Sequence, residues 1–295
     1  MLINSYVHFR IIFLKNFLND VFFKLRLNFA VKLLSFKKSA GYLKNLKPIL
    51  HGLKNEGYYK VVGYYSDYHV SEIINANSNI LDNLEEINKT LPADKKIHSA
   101  TCDGGGIKIS NTQHASNTMK IYSFEFFFIL LSLLFYWKIK LPTCIYQLRK
   151  PVEATDNNLT TMHGNTNSFT SGRLTSDDAR NGPWHVDGYG GNNTHYLKCI
   201  VLLDDTTPEY GGETQIILNS KKKLNFVKPA FLQNGTQIHP WTYSKNTLNK
   251  IVSENGIKSL YGKKGDLIFM DVCHLHRATS LKKGIRKVLW FHFEP

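Results

Sequence analysis

Pro183-Trp184-His185-Val186-Asp187-Gly188, followed far downstream by Gly265-Asp266-Leu267, His276-Arg277 and Arg286, is the part of the chain on which every other reading depends. Within it are two imidazoles, His185 and His276, the carboxylate of Asp187 and the guanidinium of Arg286. Ferrous iron accepts neutral imidazole and carboxylate, and two His with one Asp can occupy one side of a metal while leaving the other side open. His185 and Asp187 are two residues apart, so on an extended strand both side chains project to the same face. The third ligand must come from elsewhere, and the separation of 89 positions from 187 to 276 lets the chain cross a sheet several times before returning.

His276 stands just beyond a strand-like run, Asp266 to Met270, that opens at a Lys263-Lys264-Gly265 turn. His274 is a competitor two residues earlier. The spacing favours His276, because Arg286 follows ten residues later. That interval suits a hairpin whose second strand, Arg286 to Phe291, returns beside the first after a turn at Leu281-Lys282-Lys283-Gly284. Arg binds a terminal carboxylate through two parallel charge-assisted hydrogen bonds, a geometry Lys cannot reproduce. Arg286 is therefore a candidate anchor for the distal carboxylate of an oxoacid cosubstrate. His-x-Asp by itself occurs by chance in many chains; the distal His and the spaced Arg give it weight.

These residues, with Tyr196-Leu197-Lys198-Cys199-Ile200-Val201-Leu202-Leu203-Asp204-Asp205 and Gly211-Gly212-Glu213-Thr214, resemble the iron- and 2-oxoglutarate-dependent dioxygenases. Within them the chain is most similar to the phytanoyl-CoA dioxygenase-like branch, and the Gly-Gly-Glu-Thr element is similar to one in the prolyl hydroxylase branch. Gly265 to Phe269, His276-Arg277-Ala278 and Gly284-Ile285-Arg286 fit the same pattern, and Leu53 to Tyr59 with Val61-Val62-Gly63 resembles the segment with which many such proteins begin. The likeness runs from about residue 50 to the C-terminus and is faintest between residues 90 and 170.

The resemblance implies a mainly β protein: a double-stranded β-helix, the jelly-roll or cupin-like architecture, with N-terminal and inserted α-helices. It implies that His185, Asp187 and His276 hold Fe(II), that 2-oxoglutarate chelates the metal with Arg286 at its far end, and that O2 takes the remaining position. Succinate and CO2 are then released as a substrate C–H bond is hydroxylated. Related halogenases replace the carboxylate ligand with a small residue, so Asp187 argues against halogenation. Tyr196 and Lys198 are candidate cosubstrate contacts and Trp184 a candidate pocket wall. Either aromatic could equally be a core residue, and the default for a strand Lys is an outward, solvated position.

Other readings share the metal set: a prolyl-hydroxylase-like oxygenase acting on a protein, a nucleic-acid-demethylating oxygenase, or a non-catalytic cupin-like metal-binding protein. Arg286 counts against the last, since an apolar barrel has little reason to place a guanidinium there without an anion to bind. A small-molecule substrate is expected, with pocket walls drawn from Asp103 to Arg180. The polar stretch Thr160 to Thr175 suits a sugar or amino acid as well as a lipid.

Short strands are expected at Tyr196–Leu203, Thr214–Leu218, Asp266–Met270 and Arg286–Phe293, making the C-terminal half all-β. Ile73-Ile74, Ile80-Leu81, Leu84 and Ile87 recur at helical intervals, which predicts an amphipathic helix over residues 71–91. Phe124 to Trp137 is too short to span a bilayer, which takes about 20 apolar residues, and reads as a buried helix leading through Pro142 to a strand near Cys144. At 295 residues and 42% hydrophobic content the chain can bury a substantial core. One enlarged domain over residues 51–295 is expected, its metal-bearing β-core at about 144–295, after a basic extension over residues 1–50.

The net charge of +14 would suit a nucleic acid or a membrane surface, but its distribution decides. Residues 1–50 carry nine Lys or Arg against one acid, Asp20, and so supply eight of the fourteen net charges. Nucleic acid is disfavoured by this concentration of charge outside the metal-bearing half. Ile11, Leu14, Leu18, Val21, Phe22 and Leu25 form an apolar stripe among those cations. Such a helix can lie at an anionic membrane surface or dock on the catalytic core with its basic face solvated. Arg10, Lys15 and Lys24 interrupt every apolar run and argue against a secretory signal. Cys102, Cys144, Cys199 and Cys273 form no Cys-x-x-Cys pair; Cys199 and Cys273 read as buried thiols, and a reducing cytoplasm is the default.

Overall fold

A computed structural model describes residues 46–102, 106–122, 141–151, 160–161, 164–165, 181–187, 197–221 and 241–293, and the positions 21 and 25. In chain order its elements are α1 (Leu46–Asn55), β1 (Tyr58–Val61), α2 (Asp67–Asp82), α3 (Leu84–Thr90), β2 (His98–Cys102), β3 (Gly106–Ser110), α4 (Thr118–Ile121), β4 (Thr143–Arg149), β5 (Thr160–Thr161), β6 (Gly164–Asn165), β7 (His185–Val186), β8 (Leu197–Leu202), β9 (Thr214–Ile217), β10 (Trp241–Thr242), α5 (Lys245–Asn255), β11 (Ile257–Leu260), β12 (Leu267–Asp271), β13 (His276–Ala278) and β14 (Arg286–Phe293). Besides the small β5-β6 pair, two antiparallel sheets form, ordered β1-β12-β8-β14-β4-β3-β2 and β10-β7-β13-β9-β11. This is the expected jelly roll.

Alternation in the strands of the large sheet explains its two faces. On β14, Leu289, Phe291 and Phe293 point to one side, with Cys144 and Tyr146 of β4 and Leu197, Cys199 and Val201 of β8. There they meet the helices, through Ile49, Leu50 and Leu53 of α1 and Val70, Ile73 and Ile80 of α2. Each such fully buried side chain contributes roughly 1.5–3 kcal/mol. On the opposite face, Ile200, Leu202, Ile268, Met270 and Val288 pack with Ile216 and Leu260 of the small sheet. A polar knot ties the helical layer down: the buried Tyr122 hydroxyl lies 2.9 Å from both Asn77 Oδ1 and Thr112 Oγ1.

Several sequence expectations change. The helix predicted over residues 71–91 starts earlier, where Ser66 caps it by accepting from the His69 amide at 3.2 Å, and it divides at Asn83 into α2 and α3. The C-terminal half is not all-β, because α5 lies in it. That helix carries the ordinary signals, a Ser244 cap, buried Leu248 and Ile251, and Gly256 at its end. The large sheet also recruits β1, β2 and β3, so the β-core is not confined to residues 144–295. Helix α1 runs across position 50, where the basic extension is taken to end. Cys199 is buried, but Cys273 is only half-buried. The segment 124–137 and nearly all of residues 1–45 lie outside the described residues. No described helix is long and apolar enough to cross a membrane.

The expected hairpin from His276 to Arg286 does not form. β13 belongs to the small sheet, paired with β7 and β9, whereas β14 lies in the large one between β8 and β4. Nor does β14 return beside β12, since β8 stands between them. Ten residues suffice for a tight return, but they also suffice to carry the chain from one sheet to the facing one.

Candidate metal centre and anion pocket

The pairing of β13 with β7 places His276 directly opposite His185. Their rings stand 4.4 Å apart between centroids. Asp187 follows β7, its amide donating to Val272 O at 3.0 Å, and its carboxylate reaches both imidazoles: Oδ1 lies 3.5 Å from His185 Nε2 and Oδ2 lies 3.3 Å from His276 Nε2. The three ligand atoms all fall within 4.8 Å of one another. Both histidines are buried and lined up by their other nitrogen. His185 Nδ1 donates to Pro183 O at 2.7 Å and His276 Nδ1 to His274 O at 2.9 Å. A carbonyl oxygen can only accept, so each Nδ1 carries the proton and each Nε2 presents a lone pair to the common point.

His274 is excluded from that point. Its Nδ1 faces Asp271 O at 3.1 Å, and its ring packs so closely on Gly57 that a Cβ there would come within 2.7 Å of it. Alternation cannot separate His274 from His276, which share a parity. The turn after β12 does so, turning His274 away before β13 begins. His276→Ala is expected to abolish Fe(II) binding while His274→Ala retains it, as read by calorimetric titration; the reverse pattern would overturn the assignment.

Lys198 corrects the outward position expected of a strand lysine. It projects inward from β8, forms an ion pair with Asp187, and lies 5.9 Å from the Trp290 ring centroid. Burial alone would raise the Asp187 carboxyl, but Lys198, His276 and His185 together hold it well below the usual carboxylate range. Asp187 is thus an anion ready to bind a cation. Trp184 is a core aromatic, packed with Ile217, Leu248 and Leu275 and covered by the Arg277 guanidinium at 4.5 Å. Tyr196 lies outside the described residues.

Arg286 lines the same cavity as the triad, though from the large sheet. It is buried, and its Nε has no hydrogen-bond partner among the described residues. Burial, then the neighbouring Arg149, pull its pKa down to about 9, against the opposing pull of Glu213 and Asp204. It remains a cation at neutral pH. Gly212, at φ +73, makes room beside it, where a Cβ would approach Arg286 Cδ to 3.1 Å. The Gly-Gly-Glu-Thr element then delivers the buried Glu213, which accepts from Thr279 Oγ1 at 2.7 Å.

Several cavity residues were not singled out from the sequence. Arg149 stands directly across from Arg286 in the β4-β14 register and donates to Thr279 O at 3.0 Å. Gln147 and Ile145 share its face, with Lys108 of β3 and Trp290 and His292 of β14. Burial, aided by Lys198 and Lys108, holds His292 well below its ordinary range, so its ring is neutral. A signal for β4 existed: Gln147 and Arg149 alternate with apolar residues in Cys144 to Leu148, marking a polar inner face. Two like charges set opposite each other are destabilising without an anion between them. With its three ligand groups and paired guanidiniums, the cavity fits a divalent metal and a dicarboxylate; the donor set is that of a non-haem iron facial triad.

No protein-family model and no curated protein matches the sequence. Solved structures do. The epimerase SnoN, solved in complex with Fe3+, alpha ketoglutarate and nogalamycin RO, is 14% identical over 84% of this chain and 83% of its own, with a TM-score of 0.56. EctD from S. alaskensis, solved with 2-oxoglutarate and 5-hydroxyectoine, is 17% identical over 82% of this chain and 73% of its own, with a TM-score of 0.52. AviO1 from Streptomyces viridochromogenes Tue57 is 12% identical over 84% of this chain and 95% of its own, with a TM-score of 0.50. The chain has the double-stranded β-helix fold of these structures, with the His185, Asp187 and His276 cluster set between its two sheets.

Proposed function

We propose that the protein is an Fe(II)- and 2-oxoglutarate-dependent oxygenase that hydroxylates a C–H bond of a small molecule and releases succinate and CO2. The observation that carries this reading is the convergence, in one cavity, of a two-His, one-Asp ligand set and a buried arginine with an unpartnered Nε. A structural or zinc site would use the ligands but not the guanidinium. SnoN and EctD hold small molecules on this fold, which supports a small-molecule substrate over a protein.

Each residue has a derivable task. His185 and His276 offer Nε2 lone pairs because backbone carbonyls hold their Nδ1 protons. Asp187 supplies the anionic ligand, and Lys198 orients it and keeps it ionised. Iron held by His185, Asp187 and His276 would supply activation of O2 and of the oxoacid cosubstrate. Arg286 binds the distal carboxylate and fixes the direction in which the cosubstrate lies, while Arg149 adds a second positive charge opposite it. Ile145 and Trp290 form an apolar cavity wall on the large-sheet side.

Protein supplied anaerobically with Fe(II) and 2-oxoglutarate is expected to show the weak visible charge-transfer band of the chelate. Absence of the band, together with no uncoupled succinate formation in air, would overturn the reading.

A further inference from the structure

The other cavity cations have stated partners. Lys198 pairs with Asp187, Arg149 donates to Thr279 O, and Arg286 has Glu213 and Asp204 beside it in addition to the carboxylate proposed to bind there. Arg277 also borders the cavity, but its side chain lies over Trp184 and donates to Gln215. Lys108 differs. It sits on β3, across from Gln147 of β4, and its half-buried side chain lines the cavity with no hydrogen bond or ion pair among the described residues. Burial, then the like charge of Lys198, lower its pKa, with Cys102 and Asp187 acting the other way.

The cavity that Lys108 lines also holds His185, Asp187, Lys198 and His276. Lys198 and Asp187 are among the charged groups that act on Lys108, and it acts in turn on His292. The cosubstrate's two carboxylates are accounted for by the metal and by Arg286, so neither is left for Lys108. A partly desolvated ammonium without a counter-ion is costly, and an anion seated beside it offsets that cost.

Resting on the oxygenase reading above, we propose that the primary substrate carries an anionic group, a carboxylate or a phosphate, that seats against Lys108. The ammonium is a point charge with three donors and suits either group. Anchored there, the substrate presents the carbon near its acid group to the His185, Asp187 and His276 cluster.

The test uses the full chain loaded anaerobically with Fe(II) and saturating 2-oxoglutarate, whose band reports that the site is intact. Inorganic phosphate, butyrate and the neutral butyramide are titrated by calorimetry at constant ionic strength, into wild type, Lys108→Met and Lys108→Arg. We expect at least one anion to bind wild type, with affinity about tenfold or more weaker in Lys108→Met and largely kept in Lys108→Arg. The preferred anion tells phosphate from carboxylate. The proposal is overturned if neither anion binds wild type, if Lys108→Met binds them equally well, or if butyramide matches butyrate. An absent band in wild type is a different failure, which removes the oxygenase reading itself.

Discussion

Asp187→Ala protein is expected to bind Fe(II) about a thousandfold or more weakly than wild type, equivalent to about 4 kcal/mol, and to form no succinate. Among the described residues Asp187 is the carboxylate of the metal group, and its loss leaves two neutral imidazoles to hold a dication. The substitution also removes the counter-charge of Lys198, so a cation that had oriented the ligand now repels the metal. Both effects act in one direction. Anaerobic Fe(II) titration measures the loss, with circular dichroism to show that the fold survives. Wild-type affinity in this variant would refute the ligand assignment.

Arg286→Ala acts on the other partner. Fe(II) affinity is expected to hold, while the concentration of 2-oxoglutarate needed for half-formation of the band rises by about two orders of magnitude, as expected for losing hydrogen bonds to a charged group worth about 1.5–3 kcal/mol each. Removing Arg286 also relieves its repulsion with Arg149, whose guanidinium stays in place across the strand pair, so binding weakens without vanishing. Arg286→Lys restores the charge but not the two parallel donors and is expected to recover only part of the affinity. Equal 2-oxoglutarate affinity in wild type and Arg286→Ala would place the cosubstrate elsewhere.

Much of the fold was legible because alternation is local. Arg286–Phe293 was expected as a strand and is one, and the runs at residues 196–203, 214–218 and 266–270 each contain a strand within a residue or so of the expected ends. Residues 245–255 form a helix that the sequence reading did not expect, because their apolar positions, chiefly Leu248 and Ile251, are few among polar ones. The hairpin was misplaced for a different reason. Spacing measures how far a chain can reach and not which sheet it enters.

The candidate site divides in the same way. Residue chemistry and strand parity, both properties of the sequence by itself, made His185 and Asp187 candidate ligands on one face and offered His274 or His276 as the third ligand and Arg286 as a candidate anion anchor. Only the tertiary structure decided that His276 and Arg286 face each other from opposite sheets, that His274 turns away onto Gly57, and that Lys198 points inward to Asp187. It alone brought Arg149 and Lys108 to the cavity, on strands paired across the large sheet. A strand's own period sets which side chains share a face, but the charges those side chains meet come from segments distant in sequence, through long-range pairing that no local pattern records.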